Sequence, residues 1–285
     1  MTVNRRGRYM DEITFIFCFC DDFLKEVGFK DNHQAQMSTS EVLAFLIFAG
    51  KYGTGNHRKA AYLAKKMRLF KKILSPSRLC RRVHSIPLEL LGLLFLCLKK
   101  LFVQANVNSE YIIDSFPIAV CKNARISRTK LFKGKGYHAY SSSKHSYFYG
   151  LRVHMLVTEK GEPVEFLILP GAISDIKALW EFPLALNKGA TIYGDGAYND
   201  IMLEELLNED SITLLAKRKK SMLRQHPEGL SKRLSKKRKR VETSFSEIKK
   251  MFPDSITART QKGFILRVIS FILAFSLNCL VKATR

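Results

Sequence analysis

The spacing of apolar residues changes character near Asn106, and that change constrains the fold more than any other feature of the chain. Upstream, apolar residues recur at helical spacing. Asp11 precedes an apolar run to Val27, Ser38 and Glu41 form a capping box before VLAFLIFAGKYG, and Asn56 starts RKAAYLAKKMRLF. Ser75-Pro76-Ser77 opens RLCRRVH and Pro87 opens LELLGLLFLCLKKLF, so residues 1–105 are predicted to form an all-α domain.

Downstream, Tyr111 to Val120, Tyr147 to Thr158 and Val164 to Leu169 read as strands, the last two joined as a hairpin across Glu159-Lys160-Gly161-Glu162. A helix from Asp175 through IKALWEFPLALN, a strand Ala190 to Gly194, a helix near Asp200 to Asn208, a strand Ile212 to Ala216 and a late helix ending before Pro253 follow. Three consecutive strands and then alternating helices and strands predict an α/β domain over residues 106–285. Its five-stranded mixed sheet would be an antiparallel meander extended by parallel strands through crossover helices.

A chain of 285 residues suits two such domains. Its 48 Lys and Arg against 25 Asp and Glu leave a formal charge of +23, an excess no fold needs, which points to a polyanionic partner. The segment from Cys121 to His145 is rich in Lys, Arg, Gly and Ser and reads as a mobile basic loop. From Lys217 to Arg240 there are 12 Lys or Arg and one acid, Glu228. In the fourth predicted helix Arg78, Arg81 and Arg82 fall at i, i+3 and i+4 on one face, placed either against DNA or as a solvated basic face.

The remaining composition bears on compartment. Six cysteines show no C-x-x-C pair and no histidines at zinc-ligand spacing, so reduced thiols of a cytoplasmic protein are expected. The amino-terminal MTVNRRGRYMDE has no apolar stretch of the secretory kind. The apolar segment Phe264 to Val281 has an uncharged run of only 14 residues, from Val268, against the ~20 a membrane span requires, so it is expected to be a buried helix closing a domain.

Asp114 stands inside an apolar strand, where a carboxylate is costly unless neutralised, and a metal ion is the usual remedy. Asp195, in IYGDGAYND, ends a later strand, where sites collect in open α/β sheets. In KKRKRVETSFSEIKKMFP, Val241, Phe245, Ile248 and Phe252 form an apolar stripe. Arg238, Glu242 and Lys249 form an adjacent one, which an ordinary surface ion pair would also explain. Together, Asp on the first strand, Asp after the fourth and Glu on the helix after the fifth match the ligand order of the ribonuclease H-like fold. Sites of that kind hold two Mg²⁺ ions about 3.5–4 Å apart and carry out phosphoryl transfer on nucleic acid.

The motifs IIDSFPIAVCKNARI, SKHSYFYGLRVH, GDGAYND, RKRVETSFSEIKKMFP and TARTQKGFILRVISFILAFSLN resemble DDE transposases of bacterial insertion sequences, most closely insertion-sequence family 982. The resemblance is strongest from Tyr111 to Asn278. It implies Asp114, Asp195 and Glu242 as catalytic and metal-binding residues for two Mg²⁺ ions, with Mn²⁺ substituting. It also implies Arg238 and Lys249 on DNA phosphates, with Ser235 standing where the related Tyr-Arg-Glu-Lys signature has tyrosine. The implied activity is cleavage at the element's terminal inverted repeats and strand transfer of the exposed 3′-hydroxyl into target DNA. A homodimer would pair the ends of the double-stranded DNA, with no membrane involved.

Several rival readings compete with parts of this assignment. Asp175 is first a helix cap and second an extra acid. Glu247 is turned about 140° from Glu242 on a helix and should face elsewhere. His138, His145 and His154 cluster around the basic loop, and His154 is expected to be a satisfied buried histidine rather than a general base. GDGAYND resembles an aspartyl-phosphatase signature, but Asp114 lacks the second Asp two residues on that such enzymes need. A basic remnant that binds element ends without cutting them is the non-enzymatic alternative.

Overall fold

In a computed structural model, the described residues are 3–142, 145–218, 222, 224–227, 229–253 and 256–283; the side chains of 3–6, 8, 231–233, 238–242 and 244 lie outside the description. Packing divides the chain into two compact units, residues 1–98 with 251–285, and residues 99–250.

The first unit is helical. It contains α1 (Val3–Glu26), α2 (Thr39–Tyr52), α3 (His57–Met67), α4 (Pro76–His84), the first part of α5 (Leu88–Ala105) and α9 (Gln261–Ala283). The local stop and start signals act as anticipated: Ser38 and Glu41 complete the capping box of α2, and the Asn56 side chain accepts from the backbone N–H groups of Arg58 and Lys59. The helix α1 begins before Asp11.

The sequence expectation put α9 with the second domain, whereas packing groups it with the first. The helix α9 is long and apolar enough to cross a membrane, and 67% of its most apolar window is buried. Its partner is α2, itself buried continuously from Val42 to Gly50. The two approach so closely that a Cβ at Gly50 would sit 3.0 Å from the Ser270 carbonyl oxygen and 3.1 Å from the Ala274 Cβ. Two helices that are apolar all round satisfy one another, and that complementarity overrides their distance in sequence.

The second unit is built on a mixed sheet of six strands among the described residues. These are β1 (Glu110–Cys121), β2 (His138–Ser141), β3 (Ser146–Thr158), β4 (Pro163–Pro170), β5 (Thr191–Gly194) and β6 (Thr213–Ala216). The path runs β2-β3-β1-β5-β6, and β4 pairs with β3 beyond β2. Strands β1, β3 and β4 form an antiparallel meander, and β5 and β6 extend it in parallel from β1. The helices are α6 (Asp175–Trp180), α7 (Ile201–Glu209) and α8 (Leu230–Met251). The helix α6 is shorter than its apolar pattern suggests, because Pro183 disfavours helical geometry in the residue before it.

One element is absent from the five-strand expectation. The segment expected to be a mobile basic loop contains 3-10 turns at Asn123–Arg128 and Lys135–Tyr137 and the whole of β2. Four residues, HAYS, offer no alternation for a sequence reading to detect, so only pairing with β3 makes them a strand.

Candidate active site

Strand register brings the first two acids together. In the parallel pair of β1 and β5, Glu110 lies opposite Thr191, Tyr111 opposite Ile192 and Ile112 opposite Tyr193. Continuing that register by two residues sets Asp114 level with Asp195 on neighbouring strands, which lie about 4.8 Å apart. The Asp114 carboxylate accepts the Ser115 N–H at 2.8 Å, and Asp195 accepts the Ala197 N–H at 2.8 Å, capping a 3-10 turn at Gly196–Tyr198. Each carboxylate is therefore held by backbone while retaining acceptor capacity for a cation.

The helix α8 runs alongside β1. At one end Lys237 bridges Glu110 and Glu159, and at the other the Lys249 ammonium sits 6.0 Å from the ring centroids of Phe116 and Phe245. Six residue steps along the strand from Glu110 to Phe116 span about 20 Å and twelve along the helix from Lys237 to Lys249 about 18 Å, so the two elements keep step. Phe245 and Ile248 are buried, as the apolar stripe predicts. Asp114, Phe245, Ser246, Lys249 and Lys250 line a cavity of about 440 Å³. Position 242 lies one turn before Ser246 on the same face of α8, by helical periodicity. The side chains of Glu242 and Arg238 are outside the described residues, so only their backbone positions on α8 are placed. Glu247 is exposed and does not line this cavity.

Asp175 belongs elsewhere. Ser174, not Asp175, caps α6, its hydroxyl accepting the Lys177 N–H. Asp175 accepts a hydrogen bond of 2.7 Å from the Ser115 hydroxyl, lies 3.8 Å from Arg152 Nη1, and stands 3.4 Å from His154 Nδ1. Ser115, Arg152 and His154 alternate onto the opposite face of the β1–β3 ladder from Asp114, so the Asp175 group is a buttress behind the strand. His154 is fully buried, and neither ring nitrogen makes a hydrogen bond, contrary to the expected satisfied histidine. Burial, opposed by the Asp175 charge and reinforced by Arg152, lowers its pKa to about 4, leaving the imidazole neutral at physiological pH.

Tyr198 is a site residue that the sequence reading missed. It is 1% exposed, and burial together with the carboxylates of Asp175, Asp114 and Asp195 pushes its phenol well above the usual range. The Ser115 hydroxyl partly offsets this from nearby, without the geometry of a full hydrogen bond. A single buried phenol thus senses all three acids. Its place three residues after Asp195 in GDGAYND was the only available signal.

The basic residues divide by role. Arg78 and Arg81 are exposed on α4, whereas Arg82 pairs with Asp31 at 2.5 Å and donates to the Thr39 hydroxyl at 2.8 Å, tying α4 to the start of α2. In the Lys217–Arg240 segment, Arg218 is buried against Glu204 and Asn199. Among the described residues the six cysteines form no disulfide.

An acid inside β1 and another just past the end of the neighbouring parallel strand β5, beside a helix rich in cations, are the elements of a phosphoryl-transfer site. The chain belongs to the transposase family described as "Transposase DDE domain", whose profile matches residues 104–256, a little over half its length. Domains of this family generally use divalent metals. No curated protein shows significant sequence similarity to it. A cryo-EM structure of the piggyBac transposase synaptic complex with hairpin DNA is similar with a TM-score of 0.48 at 11% identity, over 96% of this chain and 72% of that one. A likeness of that size carries no weight for function.

Proposed function

We propose that the chain is a metal-dependent DDE transposase of insertion-sequence family 982, cutting DNA at the element's terminal inverted repeats and joining the freed 3′-hydroxyl to target DNA. The observation that carries this reading is the parallel β1–β5 register, which continued by two residues would set Asp114 level with Asp195, beside a helix bearing position 242 and Lys249. An antiparallel meander of β1, β3 and β4 continued in parallel by β5 and β6 is compatible with the ribonuclease H-like core that the sequence leads one to expect, and supports the same reading.

The donor set fits a hard divalent cation, since it consists of carboxylate oxygens on a rigid strand and a capped turn. Asp114, Asp195 and Glu242 would hold two Mg²⁺ or Mn²⁺ ions, which when bound neutralise the scissile phosphate and activate the attacking oxygen. The chain's own residues orient the rest. Lys249 and Lys250, at the cavity wall, position DNA phosphates, a role that Arg238 would share. Arg78 and Arg81 contact the element ends from a helical end-binding domain, and a homodimer pairs two ends, in the bacterial cytoplasm.

The test is cleavage of labelled DNA carrying the terminal repeats in Mg²⁺ or Mn²⁺, comparing the native chain with Asp195→Asn. Cutting at the repeat boundary by the native chain alone supports the assignment. Binding without cutting by the folded, metal-supplied protein would replace it with the end-binding remnant.

A further inference from the structure

A feature that the proposed chemistry leaves unused lies at the free edge of the sheet. Tyr140 on β2 and Tyr147 on β3 are direct cross-strand partners, with ring centroids 5.1 Å apart. They are 44% and 73% exposed, against a buried Tyr149 on the same face two residues on. The inner half of the same aromatic ladder is fixed: His138 stands edge-on to Tyr149 at 4.8 Å, Tyr137 packs against Tyr149 and Phe132, and the Tyr149 hydroxyl donates to the Phe132 carbonyl at 2.5 Å. The outer pair is therefore preorganised by a buried base while its own ring faces stay open. A cross-strand aromatic pair adds only modestly to the stability of a hairpin, so hairpin stability alone gives little reason for two rings this exposed.

The surroundings specify the partner's charge. Lys122, Arg125, Arg128, Lys130, Lys133 and Lys135 are all exposed, and residues 121–145 contain no carboxylate. The Asn123 amide donates to the Tyr147 carbonyl at 2.9 Å, which holds the turn bearing Arg125 and Arg128 against the same end of β3. The turn bearing Lys135 leads directly into β2. Open aromatic faces bordered by cations with no acid among them are the arrangement that stacks nucleobases while tracking their phosphates.

We propose that the Tyr140–Tyr147 pair and its basic border form a stacking platform for unpaired nucleobases of the DNA on which this protein acts. A duplex hides its base faces, so the platform favours strands that are single or locally opened. Tyr147 lies eight residues along β3 from Met155, the partner of Asp114, and on the same face. That is about 26 Å, or roughly eight nucleotide steps, from the acids, so the platform engages flanking DNA rather than the scissile phosphate. The proposal rests on the reading of the chain as a DNA-acting transposase.

The test uses the full chain and fluorescence anisotropy with two labelled probes, a thymidine homopolymer of about 20 nucleotides and a duplex of equal length. Tyr140→Ala with Tyr147→Ala should weaken binding to the single strand roughly tenfold or more and leave the duplex within about twofold. Tyr140→Phe with Tyr147→Phe, which keeps both rings, should bind as the native chain does, and Tyr147→Ala alone provides a readout should the double variant fold poorly. Equal losses on both probes would mean that only phosphates are read, and no loss on either would reduce the pair to a hairpin contact; both overturn the proposal. A change of oligomeric state in the alanine variant by sedimentation would make the pair a protein contact and overturn it as well. Failure of the native chain to bind either probe would instead bring down the DNA-acting reading, and the platform with it.

Discussion

Asp175 separates two accounts of the acids, because the structure makes it a buttress and not a cation ligand. Asp175→Ala would remove the acceptor of the Ser115 hydroxyl at 2.7 Å and the counter-charge of Arg152, whose side chain is 18% exposed, as is that of Asp175. Breaking a buried ion pair by deleting one partner costs about 3–5 kcal/mol. The 3.8 Å separation and partial exposure bring this pair well below that range, to about 1 kcal/mol, while a lost hydrogen bond to a charged acceptor adds about 1.5–3 kcal/mol. A destabilisation of about 3–4 kcal/mol is therefore expected, read as a lower urea midpoint with unchanged slope. Replacing Arg152 by Leu in the same chain should recover part of it, since the stranded cation is then gone, and the double-mutant cycle measures that coupling. A loss below about 1 kcal/mol, together with cleavage that fails even in the fully folded variant, would refute the buttress and return Asp175 to the ligand set.

Three other outcomes are expected. Asp114→Asn, Asp195→Asn or Glu242→Gln should each lower metal-dependent cleavage about a thousandfold or more while end binding, measured by anisotropy, stays near native, because several kcal/mol of charge stabilisation vanish without a change of shape. On α4, Arg78→Ala with Arg81→Ala should reduce the slope of log affinity against log salt by about 1.8, whereas Arg82→Ala should leave that slope alone and cost about 1.5–3 kcal/mol in denaturation by stranding Asp31 and Thr39. Burial, with the nearby charges of Arg267 and His84, lowers the His57 pKa to about 4, so the unfolded chain binds the extra proton between about pH 6.5 and 4 and stability falls as the pH drops through that window. His154 contributes in the same direction, so His57→Asn should remove about half of the slope in pH-dependent denaturation, and an unchanged slope would show that His57 does not titrate there.

Much of this was legible in the chain itself, because helix and strand signals are local. The Ser38–Glu41 box, Asn56 before α3 and the alternation through Tyr147 to Thr158 each act over a few residues, and the folded chain honours them. The charge of +23 and an acid inside an apolar strand likewise needed no tertiary structure to be informative.

What only the tertiary structure decided are pairings between surfaces far apart in sequence. The level placement of Asp114 and Asp195 depends on the register of two strands separated by some eighty residues, and a one-residue slip would move one acid to the other face. The same holds for Asp175, whose position at the start of α6 suits a cap until Ser115, Arg152 and His154 claim its carboxylate from β1 and β3. Four residues without alternation became β2 because β3 had a free edge, and α9 joined the amino-terminal helices because α2 offered an apolar surface with a glycine where the two backbones meet. Local periodicity determines which face of an element is apolar; complementarity between faces, which no short window of sequence contains, determines what that face meets.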